Sequence, residues 1–244
     1  MPDGRRIALR HLAGDGPALV FLPGYMSDMT GSKAGALFAN ARAIGRECLL
    51  FDYSGCGTSA GDFSDGSLSR WREEVLALIE ARVAAERVVL VGSSMGGWLM
   101  LLAGLELGER LAGLVGIAAA PDFTEWGYDA GQKARLAAGE TVLEDNAYGP
   151  EPTPTHPHFW RDGQALRLLG GGGIALDCPV RLLHGQEDAD VPPQVSLDLA
   201  AALRSQDVQL TLVKGGDHRL SRPGDLALLL RTVAALGAPE PMQR

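Results

Sequence analysis

Six short apolar runs recur along the chain, at 18–22, 48–53, 87–91, 114–118, 180–184 and 208–213. They are apolar without strict alternation, the pattern of strands buried on both faces. Stretches with helical periodicity separate them. The clearest covers 69–86, where Trp71, Val75, Leu78, Ile79 and Val83 form one stripe and Arg72, Glu73, Glu80 and Arg82 the opposite one. Ser67 and Ser69 at its start are good N-caps. The pattern predicts further helices over 98–107, 195–204 and 225–236. Strands separated by helices imply parallel pairing, right-handed crossovers and an α/β sheet covered on both faces. In such a sheet, functional loops gather at the carboxyl ends of the strands.

One segment breaks the alternation. Residues 121–177 hold polar helical stretches, a Pro-rich run at 149–154 and four glycines at 170–173, but no buried strand. The pattern therefore predicts a core made of 1–120 and 178–244, with 121–177 inserted as a small cap over the site. The glycine run follows no strand and lacks the Lys and Ser/Thr of a phosphate loop, so it reads as a hinge or turn.

Composition narrows the partners. The 244 residues are 46% hydrophobic, enough for one domain with a sizeable core. A net charge of −8 with no Lys/Arg block argues against a nucleic-acid partner. No apolar run reaches membrane-spanning length. The first residues have no signal-peptide core, and Cys48, Cys56 and Cys178 are odd in number and lack metal-ligand spacing. Reduced thiols and a cytoplasmic location are expected. His156 and His158, in the Pro-rich loop, have no companion ligands, so no metal is expected, and no cofactor.

The candidate chemistry lies at 88–97, Val-Val-Leu-Val-Gly-Ser-Ser-Met-Gly-Gly. A strand enters Gly-x-Ser-x-Gly and a helix follows at once, the context of a nucleophile elbow. Ser94 is the expected nucleophile, with Gly92 and Gly96 removing Cβ atoms that would crowd the turn. A serine hydroxyl needs a base, and that base an orienting carboxylate. Two post-strand loops offer them: 184–192, His-Gly-Gln-Glu-Asp-Ala-Asp-Val-Pro, and 214–218, Lys-Gly-Gly-Asp-His. His218 is the expected base. Asp188 is the preferred acid, with Asp190 and Asp122 as alternatives. Asp217 adjoins His218 and should point elsewhere, and His184 is expected to be structural. The oxyanion hole is expected from the N–H groups of Met95 and Tyr25, with Met26 as the alternative to Tyr25. Met26, Trp126, Tyr128, Phe159 and Trp160 are the expected substrate-binding residues.

These residues resemble the α/β-hydrolase superfamily. The turn 51–59, Phe-Asp-Tyr-Ser-Gly-Cys-Gly-Thr-Ser, is similar to its Asp-x-x-Gly-x-Gly-x-Ser loop, in which Asp52 is structural. The runs 23–27, 31–34, 69–72, 91–101, 178–185 and 217–219 further resemble the branch of mitochondrial palmitoyl-protein thioesterases and acyl-glucuronide esterases. The resemblance implies cofactor-free hydrolysis of a small-molecule or protein-linked acyl ester or thioester, with Ser94, Asp188 and His218 as the triad. No organelle-targeting extension is recognisable, so a cytosolic bacterial relative, monomeric or homodimeric, is expected. Serine at position 94 excludes the carboxylate-nucleophile branches of the fold. An amidase or peptidase would use the same triad, whereas a non-catalytic binding module would have a broken one.

Overall fold

The computed structural model describes residues 4–146 and 149–236. Its centre is a sheet of seven strands: β1 (Leu9–Leu12), β2 (Asp15–Leu22), β3 (Arg46–Phe51), β4 (Val88–Ser93), β5 (Leu111–Ile117), β8 (Val180–Gly185) and β9 (Val208–Val213). The spatial order is β1-β3-β2-β4-β5-β8-β9. Every neighbouring pair is parallel except β1 with β3. This is the α/β-hydrolase fold.

The inner strands bury both faces by alternation, whereas β9, expected to be buried on both faces, is an edge strand with three half-buried and three exposed residues. In β2, Ala18, Val20 and Leu22 point into one core layer and Leu19 and Phe21 into the other. The first layer is closed by α2 (Leu68–Arg82), α3 (Met95–Leu107) and α7 (Pro193–Ala202), the second by α1 (Ser32–Ile44) and α8 (Pro223–Ala235). Residues 95–104 of α3 are buried all round, which places this helix at the centre of its layer.

Three further elements depart from the hydrophobic pattern. β1 is a half-exposed edge strand, Leu-Arg-His-Leu, with too few apolar residues to stand out. α1 buries Ala34, Leu37, Phe38 and Ala41, a stripe half made of alanine. α2 ends at Arg82, four residues before the predicted end. The buried Glu47 carboxylate explains this, because its two oxygens accept the Ala84 and Ala85 N–H groups at 2.9 and 2.8 Å. Those amides leave the helical ladder for a charged acceptor.

Residues 121–177 leave the sheet. They form α4 (Phe123–Trp126), α5 (Ala130–Ala138), β6 (Val142–Glu144), β7 (Thr153–Thr155) and α6 (Pro157–Ala165). β6 and β7 pair antiparallel, two three-residue strands too short for a periodic signal. Asp162 of α6 accepts from the Ser69 N–H and hydroxyl at 2.8 and 2.6 Å, tying the segment to the first turn of α2. The indole of Trp98 donates to Leu166 O at 3.3 Å. In the glycine run, Gly170, Gly172 and Gly173 have φ of 87°, 91° and 111°, a turn that side-chain-bearing residues resist. Beyond it, Ile174 and Leu176 rejoin the main core.

Candidate active site

Ser94 stands between β4 and α3 with φ 54° and ψ −121°, a conformation that costs a non-glycine residue on the order of 1–3 kcal/mol. Its surroundings over-determine that geometry. The Ser94 N–H donates to Ile117 O at 2.9 Å, and Ser94 O accepts from Gly97 N and Ala120 N at 2.8 and 3.0 Å. A Cβ on Gly92 would strike Gly96 O, and one on Gly96 would strike Leu22 O. The glycines of the motif are therefore demanded by contact between backbones. Gly24 approaches from the loop after β2, where a Cβ would lie 3.4 Å from Ser94 Cβ.

His218 and Asp188 follow β9 and β8. The His218 Nδ1 donates to Asp188 Oδ2 at 2.9 Å, with Oδ1 at 3.1 Å. The Asp188 side chain is fully buried and that of His218 is 15% exposed. Asp188 Oδ1 also accepts the N–H groups of Asp190 and Val191 at 2.9 and 2.8 Å. Burial alone would raise the Asp188 pKa, but donors from His184, His218 and Val191 N, with the His218 charge, hold it well below the usual carboxylate range. An ionised Asp188 that accepts a hydrogen bond from Nδ1–H keeps the proton of a neutral imidazole on that nitrogen and leaves His218 Nε2 with its lone pair.

Ser94 and His218 line one cavity of about 570 Å³. Tyr25, Met26, Met95, Trp126 and Tyr128 line it too. Met95 is the first residue of α3, so its N–H has no acceptor within the helix. Tyr25 and Met26 are the central residues of a turn closed by Ser27 N–H on Gly24 O at 3.1 Å, a bond that uses neither of their amides.

The other expected residues separate. Asp190 lines the cavity and is exposed, and its N–H braces Asp188. Asp122 is buried, and its two oxygens accept the Leu168 and Leu169 N–H groups at 2.8 and 2.7 Å. It anchors the return of the inserted segment to the end of β5. Two expected pocket residues are corrected. Phe159 is 1% exposed and packs among Tyr25, Trp71 and Phe123, outside the cavity wall. Trp160 is also outside, with its indole donating to Thr124 O at 2.9 Å. Both belong to α6: Phe159 packs the inserted segment onto the core, and Trp160 packs against that segment's own cluster of Tyr128, Leu136 and Val142. Asp52 is structural, accepting from Met29 N and Thr58 N at 2.8 and 2.9 Å.

The first turn of α1 brings Lys33, which is not among the expected site residues. Lys33 lines the cavity beside Arg219 and donates to Arg219 O at 2.5 Å. Burial, with the Arg219 charge adding to it, pulls the Lys33 amine down to about 8. Among the described residues, one group has metal-ligand proximity: ligand atoms of Asp188, Asp190 and His218 lie within 4.8 Å of one another. The Asp188–His218 bond instead orients the imidazole.

A strained serine at a strand-to-helix turn thus lines the same cavity as a carboxylate-braced histidine from a later loop, on the sheet of an α/β hydrolase. The family model of the alpha/beta hydrolase family matches residues 19–228, and the chain belongs to this family. Palmitoyl-protein thioesterase ABHD10, mitochondrial, of Rattus norvegicus is 37% identical over 236 residues, covering 95% of this chain and 79% of the relative. The Homo sapiens protein of that name is 34% identical over 241 residues, with 95% and 76% covered. Among solved structures, a chain from Agrobacterium vitis S4 superposes with a TM-score of 0.89 at 42% identity, covering 95% of this chain and 93% of that one. Alpha/beta hydrolase domain-containing protein 10 from mouse gives 0.87 at 35%, with 95% and 94% covered. No helix among the described residues is long and apolar enough to cross a membrane.

Proposed function

We propose that the protein is a serine hydrolase of acyl esters and thioesters, with Ser94 as nucleophile, His218 as base and Asp188 as orienting acid. One observation carries this reading: the buried Asp188 carboxylate grips His218 Nδ1 at 2.9 Å, and His218 shares a cavity with the strained Ser94. In this mechanism His218 Nε2 takes the Ser94 proton as Oγ attacks the acyl carbonyl carbon. The oxyanion accepts from the N–H groups of Met95 and Tyr25. The imidazolium then protonates the departing alcohol or thiol, leaving an acyl-serine. Water, deprotonated by the same imidazole, attacks that acyl group, and Ser94 recovers its proton as the acid leaves.

Relatives named as palmitoyl-protein thioesterases favour acylated substrates, protein-linked or small. The cavity lining has an aromatic part, Phe123, Trp126 and Tyr128, and a polar part in which the cations Lys33 and Arg219 stand with the carboxylates Asp28, Glu144, Asp145 and Asp190. The first suits an acyl group and the second a polar leaving group.

A fluorophosphonate probe tests the chemistry. Wild type should be labelled stoichiometrically and Ser94→Ala not at all; equal labelling of the two rejects Ser94 as nucleophile. Matched series of p-nitrophenyl esters and acyl-CoA thioesters then rank leaving group and chain length.

A further inference from the structure

We infer that His184, held by Ser196, is a positioning residue for Asp188. This rests on the triad reading above and extends it by two residues behind the acid. His184 is the penultimate residue of β8 and is fully buried, a costly place for an imidazole that does nothing but fill space. Its Nε2 lies 2.9 Å from Val191 O and 3.2 Å from Asp188 Oδ2. A carbonyl and a carboxylate only accept, so Nε2 carries the proton. Its Nδ1 lies 2.6 Å from Ser196 Oγ. In the neutral ring Nδ1 accepts, and the Ser196 hydroxyl donates.

A directed chain results. Ser196 donates to His184, His184 donates its Nε2 proton to Val191 O while the same nitrogen lies 3.2 Å from Asp188 Oδ2, and on its other side Asp188 accepts from His218. The two carboxylate oxygens are held differently. Oδ1 is gripped by the backbone N–H groups of Asp190 and Val191. Oδ2 takes His218 at 2.9 Å and His184 at 3.2 Å. The oxygen that faces the base is thus steadied by one side chain besides the base itself.

His184 also ties the loop to its helix. Through Val191 O it fixes the turn 185–191 that presents Asp188, and through Ser196 it fixes that turn to α7. Ser196 is 1% exposed, so the link is sealed from water. Small errors in the placement of a catalytic group can cost on the order of 10²-fold in rate. A device that removes freedom from Asp188 should therefore act on turnover more than on substrate binding.

The test compares wild type, Ser196→Ala, His184→Gln and Ser94→Ala in p-nitrophenyl butyrate hydrolysis, with sites counted by fluorophosphonate labelling. Ser196→Ala removes one hydroxyl and decides the matter if His184→Gln does not fold. The expected result is a fall in kcat per labelled site of at least 5-fold, with KM within 3-fold of wild type. A smaller fall, or a loss carried by KM, overturns the positioning role. A loss only of labelled sites with kcat per site intact also overturns it, since that is the signature of a purely structural histidine. Ser94→Ala keeps the two readings apart. If it loses labelling and turnover while Ser196→Ala is unchanged, only the positioning role fails. If Ser94→Ala still turns over at the wild-type rate, the triad reading itself fails.

Discussion

The Tyr25 hydroxyl donates to Pro154 O at 2.9 Å, joining the loop after β2 to β7 of the inserted segment. The Tyr25 ring packs against Phe63 and Phe159, with centroids 5.0 and 4.9 Å away. It also lies 6.0 Å from Phe123 and 6.4 Å from Trp71. The residue whose amide is the proposed oxyanion donor is therefore clamped by core and insertion together. Burial pushes its phenol pKa up, so it stays a donor across the working pH range.

Tyr25→Phe keeps the ring but leaves Pro154 O without its donor. The expected cost is about 1–2 kcal/mol in urea unfolding, with kcat little changed because the oxyanion donor is backbone. Tyr25→Ala removes the centre of the aromatic cluster and should cost about 3–5 kcal/mol. Equal stability of wild type and Tyr25→Phe would show that the hydroxyl bond contributes nothing.

Strain at Ser94 gives a second prediction. Its φ of 54° is imposed by the elbow, and glycine adopts it without a Cβ clash. Ser94→Ala and Ser94→Gly should both be inactive, with losses on the order of 10⁴-fold. They should differ in stability: Ser94→Gly is expected to melt above Ser94→Ala, by about 1 kcal/mol after allowing for the flexibility of glycine in the unfolded chain. The reverse order would mean that the elbow is not strained.

The parts of this site that could be read in the sequence are those whose chemistry is local. Gly92-x-Ser94-x-Gly96 announces itself because backbone contacts forbid other residues there, and the fully buried strands leave unbroken apolar runs. The Asp188–His218 pair was reachable because each residue follows a strand. Its braces were not: nothing in the spacing says that His184 and Ser196 meet. Phe159 and Trp160 mislead for a related reason. An aromatic residue reads the same in sequence whether it faces a cavity or the underside of α6, and only packing decides. The alanine-rich α1 is silent in the hydrophobic pattern because small residues carry little periodic signal.

The Asp188 carboxylate sets a pH dependence. Donors from His184, His218 and Val191 N hold its pKa below the usual range, although burial opposes them. The folded protein therefore favours the anion more than the unfolded chain does. The resulting stability is complete above the unfolded value of about 4 and is lost as pH falls through the lower native one. Asp188→Asn lacks this contribution. Urea titrations should show a wild-type advantage over Asp188→Asn at pH 7 that narrows below about pH 4. A gap that is constant from pH 7 to pH 3 would mean that the carboxylate is not stabilised by its partners.

Asp162 provides the last prediction. Its oxygens accept the N–H and hydroxyl of Ser69 in the first turn of α2, where unpaired amides and the helix dipole favour an anion. The bond spans 93 residues of sequence and fixes α6 of the insertion to the core. Asp162→Ala leaves a helix-start amide without its charged acceptor, so a loss of about 1–3 kcal/mol is expected. The structural consequence should be local. Hydrogen exchange should quicken across 153–165, where β7 and α6 meet the core, and leave β4 and β5 protected. Because Phe123, Trp126 and Tyr128 of the insertion form one wall of the cavity, its loosening should raise KM for long-chain esters more than for acetate. Ser94 and His218 are held by the sheet, so kcat should follow only weakly. If Asp162→Ala instead lowers kcat with KM unchanged, the insertion supports the reacting groups themselves and not the walls around the substrate.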